Sequence, residues 1–142
     1  MKNLFLPIIV LVFVSPIFSQ TGIVKVTITG IENTDGNVEI GIYNNKESFP
    51  VYGKEMQGAK VKPIKIGELN YSFENLPDGT YAIAVWHDEN DNQKMDKNLF
   101  GAPKENYGFS KNIFGTFGPP DFEEVSFKVV NGKIVKLTIN LE

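Results

Sequence analysis

The chain has 142 residues and a formal net charge of −3, from 14 Lys and Arg residues against 17 Asp and Glu residues. Every basic residue is a Lys, so the sequence lacks both the basic field and the guanidinium groups typical of nucleic-acid binding. Cysteine is absent and there is a single His, which excludes disulfides, Cys nucleophiles, thiolate metal sites and His-rich metal sites. The length suits one domain with one hydrophobic core.

The N-terminus has the pattern of a secretory signal. A short positive head with Lys2 precedes a mostly apolar run over 4–18, and Ser19 supplies a small residue at the expected cleavage point. The apolar run is shorter than the ~20 residues of a comfortable membrane span. We therefore expect a signal peptide at 1–19, a single domain at 20–142, and a secreted or periplasmic protein with no membrane span after signal removal. A retained anchor is the alternative.

The rest of the chain is dominated by short segments in which apolar and polar residues alternate, a period of two that predicts half-buried strands. Long helical periodicity is absent, and only 45–56 could hold a helical turn or two. Turn-forming residues at 33–37 predict that the first two strands form a hairpin. The predicted strands cover 24–29, 38–43, 61–66, 69–73, 80–87, 125–129 and 135–141.

About seven such strands favour an all-β fold, an antiparallel two-sheet sandwich of immunoglobulin or transthyretin type. A small barrel is the alternative. The segment 88–122 lacks the alternation of the predicted strands and is too long for an ordinary structureless loop. It is also rich in aromatic residues, which disordered segments are not, so we expect a long ordered loop. Its aromatic residues are Phe100, Tyr107, Phe109, Phe114, Phe117 and Phe122.

The long loop opens with side-chain oxygens at alternate positions, which predicts a calcium site. Asp88, Asn90, Asn92 and Asp96 would turn their oxygens towards one ion, and Lys94 would supply its backbone carbonyl. Calcium takes six to eight hard oxygen ligands, whereas magnesium prefers fewer protein ligands and keeps its waters. The alternative is a solvated turn without metal, because Asp and Asn readily bond their own backbone.

The pattern resembles the short calcium loops of EF-hands, dockerins and β-propeller hairpins, with two departures. Gln93 stands where those loops have a turn Gly, which predicts backbone strain there. Leu99 stands where a bidentate acidic ligand is expected, so Asn98, Glu105 or water must complete the coordination shell.

Several blocks in order resemble the uncharacterised secreted bacterial family called domain of unknown function 2141. They are Leu-Pro-Asp-Gly-Thr-Tyr-Ala-Ile at 76–83, Trp-His-Asp-Glu-Asn at 86–90, Met-Asp-Lys-Asn at 95–98, Gly-Ala-Pro-Lys-Glu at 101–105, Tyr-Gly-Phe-Ser at 107–110 and Pro-Asp-Phe-Glu at 120–123. The resemblance covers nearly the whole chain after the signal. It implies an exported, immunoglobulin-like domain and carries no established activity.

These patterns predict a non-enzymatic binding or structural module whose calcium-stabilised loop presents an aromatic surface. Trp86, Tyr107 and Phe109 are the candidate ligand surface, although such rings more often form a loop's own small core. The expected partner is an extracellular or periplasmic protein or a glycan. One alternative is a carbohydrate-binding module; another is a transthyretin-type hydrolase using His87, although no Ser lies in a nucleophile motif.

Overall fold

The computed structural model describes residues 20–142, so the predicted signal peptide at 1–19 lies outside the described residues. Eight strands account for nearly all of the regular structure, which confirms the all-β prediction. They are β1 (Gly22–Ile31), β2 (Asn37–Tyr43), β3 (Gln57–Val61), β4 (Gly67–Leu76), β5 (Gly79–Asp88), β6 (Tyr107–Phe109), β7 (Phe127–Val129) and β8 (Ile134–Asn140). A 3-10 turn at Ser110–Asn112 and one short helix, α1 (Phe122–Val125), complete the elements.

The strands form two sheets. The first has the order β4-β1-β8, and the second has the order β3-β2-β5-β6 with β7 also pairing β5. β1 pairs β4 antiparallel but β8 parallel, a pairing that the predicted antiparallel sandwich did not include. Both faces of β2 are largely buried, because one faces the other sheet and the other is covered by loops.

The predicted hairpin between the first two strands is wrong. β1 lies between β4 and β8, whereas β2 lies between β3 and β5 in the other sheet. The turn at 33–37 therefore carries the chain from one sheet to the other. A turn sequence indicates that the chain reverses direction, but it does not show that the two flanking strands pair with each other.

Three further segments differ from the predictions. The strand expected at 125–129 begins at Phe127, because Val125 ends the short helix α1. The strand expected at 61–66 ends at Val61, and the region after it contains Pro63, which has no amide hydrogen for a strand ladder. The alternating Ile64 and Ile66 are 93% and 66% exposed, so their pattern did not indicate a core face. Segment 45–56 forms hydrogen-bonded turns rather than helix, with the Val51 amide 2.7 Å from the Ser48 carbonyl.

The main core lies between the two sheets. It is built from the inward positions of six strands, and its largest fully buried side chains include Phe73, Ile28, Ile42, Leu76, Ile83 and Ile139. Burying such side chains is the main source of stability in a sandwich of this size. Among residues 20–142, no helix is long and apolar enough to cross a membrane.

A second apolar cluster covers the opposite side of the five-stranded sheet, called here the outer face. This aromatic cluster has Tyr43, Phe49, Ala82, Phe109 and Val125 at its centre, with Tyr107, Phe114 and Phe122 packed against it. Phe49 lies at its middle, with ring centroids 5.4 Å from Tyr43, 5.8 Å from Phe109 and 5.9 Å from Phe122. The cluster joins segment 44–56 to segment 107–125 across the outer face, so the long predicted loop is itself partly core.

Candidate functional site

An open groove of about 850 Å³ lies on the outer face, between segment 44–56 and the loops that follow β5 and β6. Its base is formed by the outward residues Ala84 and Trp86 of β5 and by Tyr107 of β6, which is directly opposite Trp86 in the sheet. Ala84 provides the depth, because its small side chain stands between larger rings. We call this feature the outer groove.

The rim of the outer groove carries large apolar side chains that are exposed to solvent. Phe100 is 96% exposed, Phe117 is 102% exposed and Tyr52 is 47% exposed, and all three line the groove. Pro103 and Pro119 stiffen the same rim. A concave site lined by aromatic and apolar side chains is the usual form of a small-ligand pocket, which spans about 300–1,000 Å³.

The three residues of the predicted ligand surface therefore lie together, with one correction. Trp86 and Tyr107 are half-buried and line the outer groove. Phe109 is only 6% exposed, because its ring packs in the aromatic cluster between Phe49 and Phe114. Phe109 supports the base of the groove and cannot serve as an exposed stacking platform.

The predicted calcium ligands lie at the end of the outer face, where β5 passes into the loop 88–96, called here the Asx loop. Asp88 is fully buried; its Oδ1 accepts from the Asn92 amide at 3.1 Å and its Oδ2 from the Gln93 amide at 2.8 Å. Gln93 has φ 60° and Asp91 has φ 57°. The expected strain at Gln93 is thus present, because the left-handed region costs a non-Gly residue about 1–2 kcal/mol.

Asp96 closes the Asx loop. Its Oδ2 accepts from the side-chain amides of Asn90 at 2.6 Å and Asn92 at 3.1 Å. The Oδ1 of Asn90 accepts from the Asn92 amide, and the Oδ1 of Asn92 accepts from the Lys94 amide at 2.8 Å. The side chains of Asn90, Asn92 and Asp96 therefore meet at the loop surface, whereas the Asp88 carboxylate bonds the backbone amides of the loop. Lys94 takes part through its backbone amide, which donates to Asn92.

Glu105 joins this group, although it follows the loop. It is 6% exposed, its Oε2 accepts from the Asp96 amide at 3.2 Å, and its Oε1 has no hydrogen-bond partner among the described residues. Burial raises the pKa of the Glu105 carboxyl; the hydrogen bond from the Asp96 amide opposes this shift, and the charges of Asp88 and Asp96 add to it. Asn98, the other candidate for completing the shell, instead caps a turn by accepting from the Phe100 and Ala102 amides.

Within residues 20–142, no three His, Asp or Glu side chains form a group that could by itself hold a metal ion. A cation in the Asx loop would therefore depend on amide oxygens as well as carboxylates, the ligand mixture that calcium accepts and zinc does not. It would also need the Asn90 and Asn92 amides to turn their oxygens towards it, since both now direct their NH₂ groups at Asp96.

Sequence reasoning missed a second feature of the outer face, a small acidic pocket of about 50 Å³ that opens beside the outer groove. Its walls include the carboxylates of Glu39 and Glu55 and the rings of Tyr43, Tyr52 and Trp86. The period of two does predict that the Glu39 side chain lies on the other face of β2 from Val38 and Ile40, away from the core. What the sequence could not indicate is that segment 44–56 folds over that face and buries it.

His87 points away from the groove. It is 1% exposed, and its Nε2 lies 2.8 Å from the Asp35 carbonyl, a contact that ties β5 to the turn before β2. Ser110 is fully buried, with its hydroxyl donating to the Val125 carbonyl at 2.7 Å and accepting from the Ile83 amide. Neither residue lines the outer groove.

A comparison with known families places residues 26–137 in the family described as an uncharacterized protein conserved in bacteria, DUF2141. The match spans most of the chain, which therefore belongs to this family. The resemblance inferred from the sequence blocks is confirmed. No curated protein and no solved structure matches the chain.

Proposed function

We propose that this member of the DUF2141 family is an exported, non-enzymatic binding module that takes a small organic ligand in the outer groove. We further propose that calcium stabilises the Asx loop, which leads into one wall of that groove. The observation that carries the proposal is the outer groove itself, with Trp86 and Tyr107 side by side at its base and the exposed Phe100 and Phe117 at its rim. Exposed aromatic side chains of this size are typical of binding sites when they surround a cavity.

The groove proposal is tested with 3-phenyl-1-propanol as a neutral probe, observed through the fluorescence of Trp86, the only Trp in the chain. We expect a saturable change in emission that weakens about fivefold or more in Phe100→Ala and Phe117→Ala. Leu99→Ala is the matched control, because Leu99 is 101% exposed in the same loop and does not line the groove. An unchanged Trp86 emission, or equal losses in all three variants, would contradict the proposal.

A carbohydrate ligand is the second candidate, and the pairing of Trp86 with Tyr107 favours it. Adjacent rings at the base of an open groove can stack against the apolar face of a sugar ring. This alternative predicts retention on insoluble polysaccharide that Tyr107→Ala abolishes and Leu99→Ala leaves intact. If the Tyr107→Ala variant is still retained, the outer groove does not bind the carbohydrate.

The calcium proposal is supported by two buried carboxylates, Asp88 and Glu105, that lie close to Asp96 without a neutralising Lys in hydrogen-bond contact among the described residues. The unpartnered Oε1 of Glu105 is the strongest support, since a buried carboxylate oxygen without a hydrogen bond is costly. In the proposed shell, Asp88, Asn90, Asn92, Asp96 and Glu105 supply side-chain oxygens, and Lys94 supplies its carbonyl.

Calcium binding is measured as a rise in melting temperature. At ten times the Kd, binding should add about 1.4 kcal/mol to the free energy of unfolding, or roughly 4 °C for a domain of this size. The rise should disappear in Asp88→Asn and Glu105→Gln. Asp91→Asn should retain it, because Asp91 lies in the same loop but pairs with Lys60. If wild type shows no calcium-dependent rise, calcium does not stabilise the loop.

A further inference from the structure

The acidic pocket beside the outer groove holds two carboxylate oxygens that the protein leaves without hydrogen bonds. Glu39 is 5% exposed and its Oε1 has no hydrogen-bond partner within residues 20–142; the same holds for Oε2 of Glu55. Both side chains line the pocket. A buried anion of this kind is normally matched by a cation or by several hydrogen bonds, and Lys60 gives Glu39 an ion pair without a hydrogen bond.

The one nearby Lys satisfies this need only in part. Lys60 Nζ lies 3.7 Å from Glu39 Oε1, which is too far for a hydrogen bond, and its hydrogen bond goes to Asp91 instead. Lys60 is not among the residues lining the pocket. Burial raises the pKa of the Glu39 carboxyl, as do the charges of Asp88, Asp91 and Glu55, while Lys60 lowers it.

The remaining walls of the pocket are aromatic and shaped by small residues. Tyr52 and Trp86 meet edge to face with ring centroids 5.9 Å apart. Gly41 and Gly58 face each other across β2 and β3; a Cβ at Gly41 would meet the Tyr43 ring at 3.0 Å, and one at Gly58 would meet Glu55 Oε1 at 2.7 Å. Larger residues at these two positions would therefore displace the walls. Aromatic rings around carboxylates are the usual surroundings of an organic ammonium group.

We propose that the acidic pocket binds the ammonium group of a small organic amine whose apolar body lies in the outer groove. The pocket and the groove share Pro50, Tyr52, Ala84 and Trp86, so one ligand can occupy both. About 50 Å³ admits an ammonium head but not a ring. The inference rests on the proposed binding function of the groove and specifies the class of its ligand.

Charge complementarity decides between occupants. The ammonium would donate to the carboxylates of Glu39 and Glu55 and lie against the rings of Tyr52 and Trp86. A carboxylate or phosphate at the same place would be repelled by both acids, and a neutral group would add no positive charge to that of Lys60.

The test compares 3-phenylpropylamine with its neutral and anionic analogues, 3-phenyl-1-propanol and 3-phenylpropionate, again through Trp86 fluorescence. We expect the amine to bind at least tenfold more tightly than either analogue. Glu39→Gln and Glu55→Gln should each reduce its affinity about tenfold, the scale of one hydrogen bond between charged groups. Neither variant should weaken binding of 3-phenyl-1-propanol. Glu47→Gln is the matched control, since Glu47 lies exposed in the same segment and outside the pocket.

The outcomes separate this inference from the groove proposal. Equal affinity for amine and alcohol, with loss of both in Phe117→Ala, would overturn the ammonium site and leave the groove. Amine binding that depends on Glu39 but not on Phe100 or Phe117 would support the ammonium site and contradict the groove. The inference is overturned if the amine does not change the Trp86 emission. It is also overturned if only a tri-lysine peptide changes it, or if the protein forms a concentration-dependent dimer that covers the groove.

Discussion

Gln93 adopts a left-handed backbone conformation, φ 60°, at the point where the Asx loop turns back beneath Asp88. Glycine adopts this conformation without steric cost, so Gln93→Gly should raise the free energy of unfolding by about 0.5–1 kcal/mol. Lys94→Gly is the control. Lys94 is not among the positive-φ residues, so glycine there should destabilise by a similar amount. Urea denaturation of the two variants measures both effects, and a loss of stability in Gln93→Gly would contradict the assigned strain.

A second single residue, Glu39, makes the stability of the protein depend on pH. Because its folded pKa is raised above the unfolded value of 4.5, the protonated form favours folding. The stabilisation by protonated Glu39 is fully present below the unfolded pKa of 4.5 and is lost as the pH rises through the folded pKa. Glu39→Gln should therefore add about 1 kcal/mol to the free energy of unfolding at neutral pH and nothing below about pH 4. The groups facing Glu39 are Lys60, Glu55, Asp88 and Asp91.

Thermal unfolding of Glu39→Gln across this pH range checks the sign. The exposed Glu47→Gln should show no pH-dependent gain. A stabilisation of Glu39→Gln that persists at acid pH would mean that packing, rather than charge, is responsible.

At the scale of elements, the three-residue strand β6 connects the outer groove to the rest of the fold. It pairs β5 through Tyr107 and Phe109, while the Tyr107 amide and carbonyl also bond the backbone of Glu142 at 3.1 and 3.0 Å. Between them, Gly108 lies so close to the end of β8 that an added Cβ would meet the Asn140 carbonyl at 2.5 Å. β6 therefore closes the gap between the two sheets.

Gly108→Ala should displace β6, because backbone cannot yield as a side chain can. We expect a loss of about 2–3 kcal/mol in the free energy of unfolding, together with weaker binding of the neutral probe in the groove. Gly53→Ala is the comparison: Gly53 has φ 79° but open space around it, so only backbone strain of about 1 kcal/mol is expected. Equal losses in the two variants would show that the close approach at Gly108 has no energetic consequence.

At the scale of the whole molecule, two apolar layers lie on either side of the five-stranded sheet. The main core holds the sheets together, and the aromatic cluster holds the covering segments on the outer face. Phe49 connects these segments, since it packs against Phe109 and Phe122 from the other side of the cluster. The outer groove exists only while this second layer is intact.

Phe49→Ala should lower the free energy of unfolding by about 3–5 kcal/mol, the usual cost of removing a buried ring, and should weaken binding of the groove probe. Phe117→Ala supplies the matched control: its ring is fully exposed, so stability should change by less than about 0.5 kcal/mol while groove binding is lost. A stability loss of the same size in both variants would contradict a distinct second layer.

Much of the fold could be predicted because strand patterns are local. The alternation in β1, β2, β5 and β8 located those strands, and the same alternation failed at Ile64 and Ile66 because an exposed turn can carry apolar residues by chance. The pairing of strands could not be predicted in the same way. β1 and β8 are at opposite ends of the described chain, and their parallel contact follows from how the sheets bury their apolar faces together.

The candidate site, like the fold, was predictable only where it depends on neighbouring residues. The sequence by itself determined the Asx spacing at 88–96 and the aromatic richness of the segment that follows, since both are properties of neighbouring residues. Only the tertiary structure decided that Phe109 is buried, that Glu105 joins Asp88, and that Glu39 and Glu55 share a pocket with Trp86. These are contacts between distant segments, and their geometry is set by the layer that packs over the outer face.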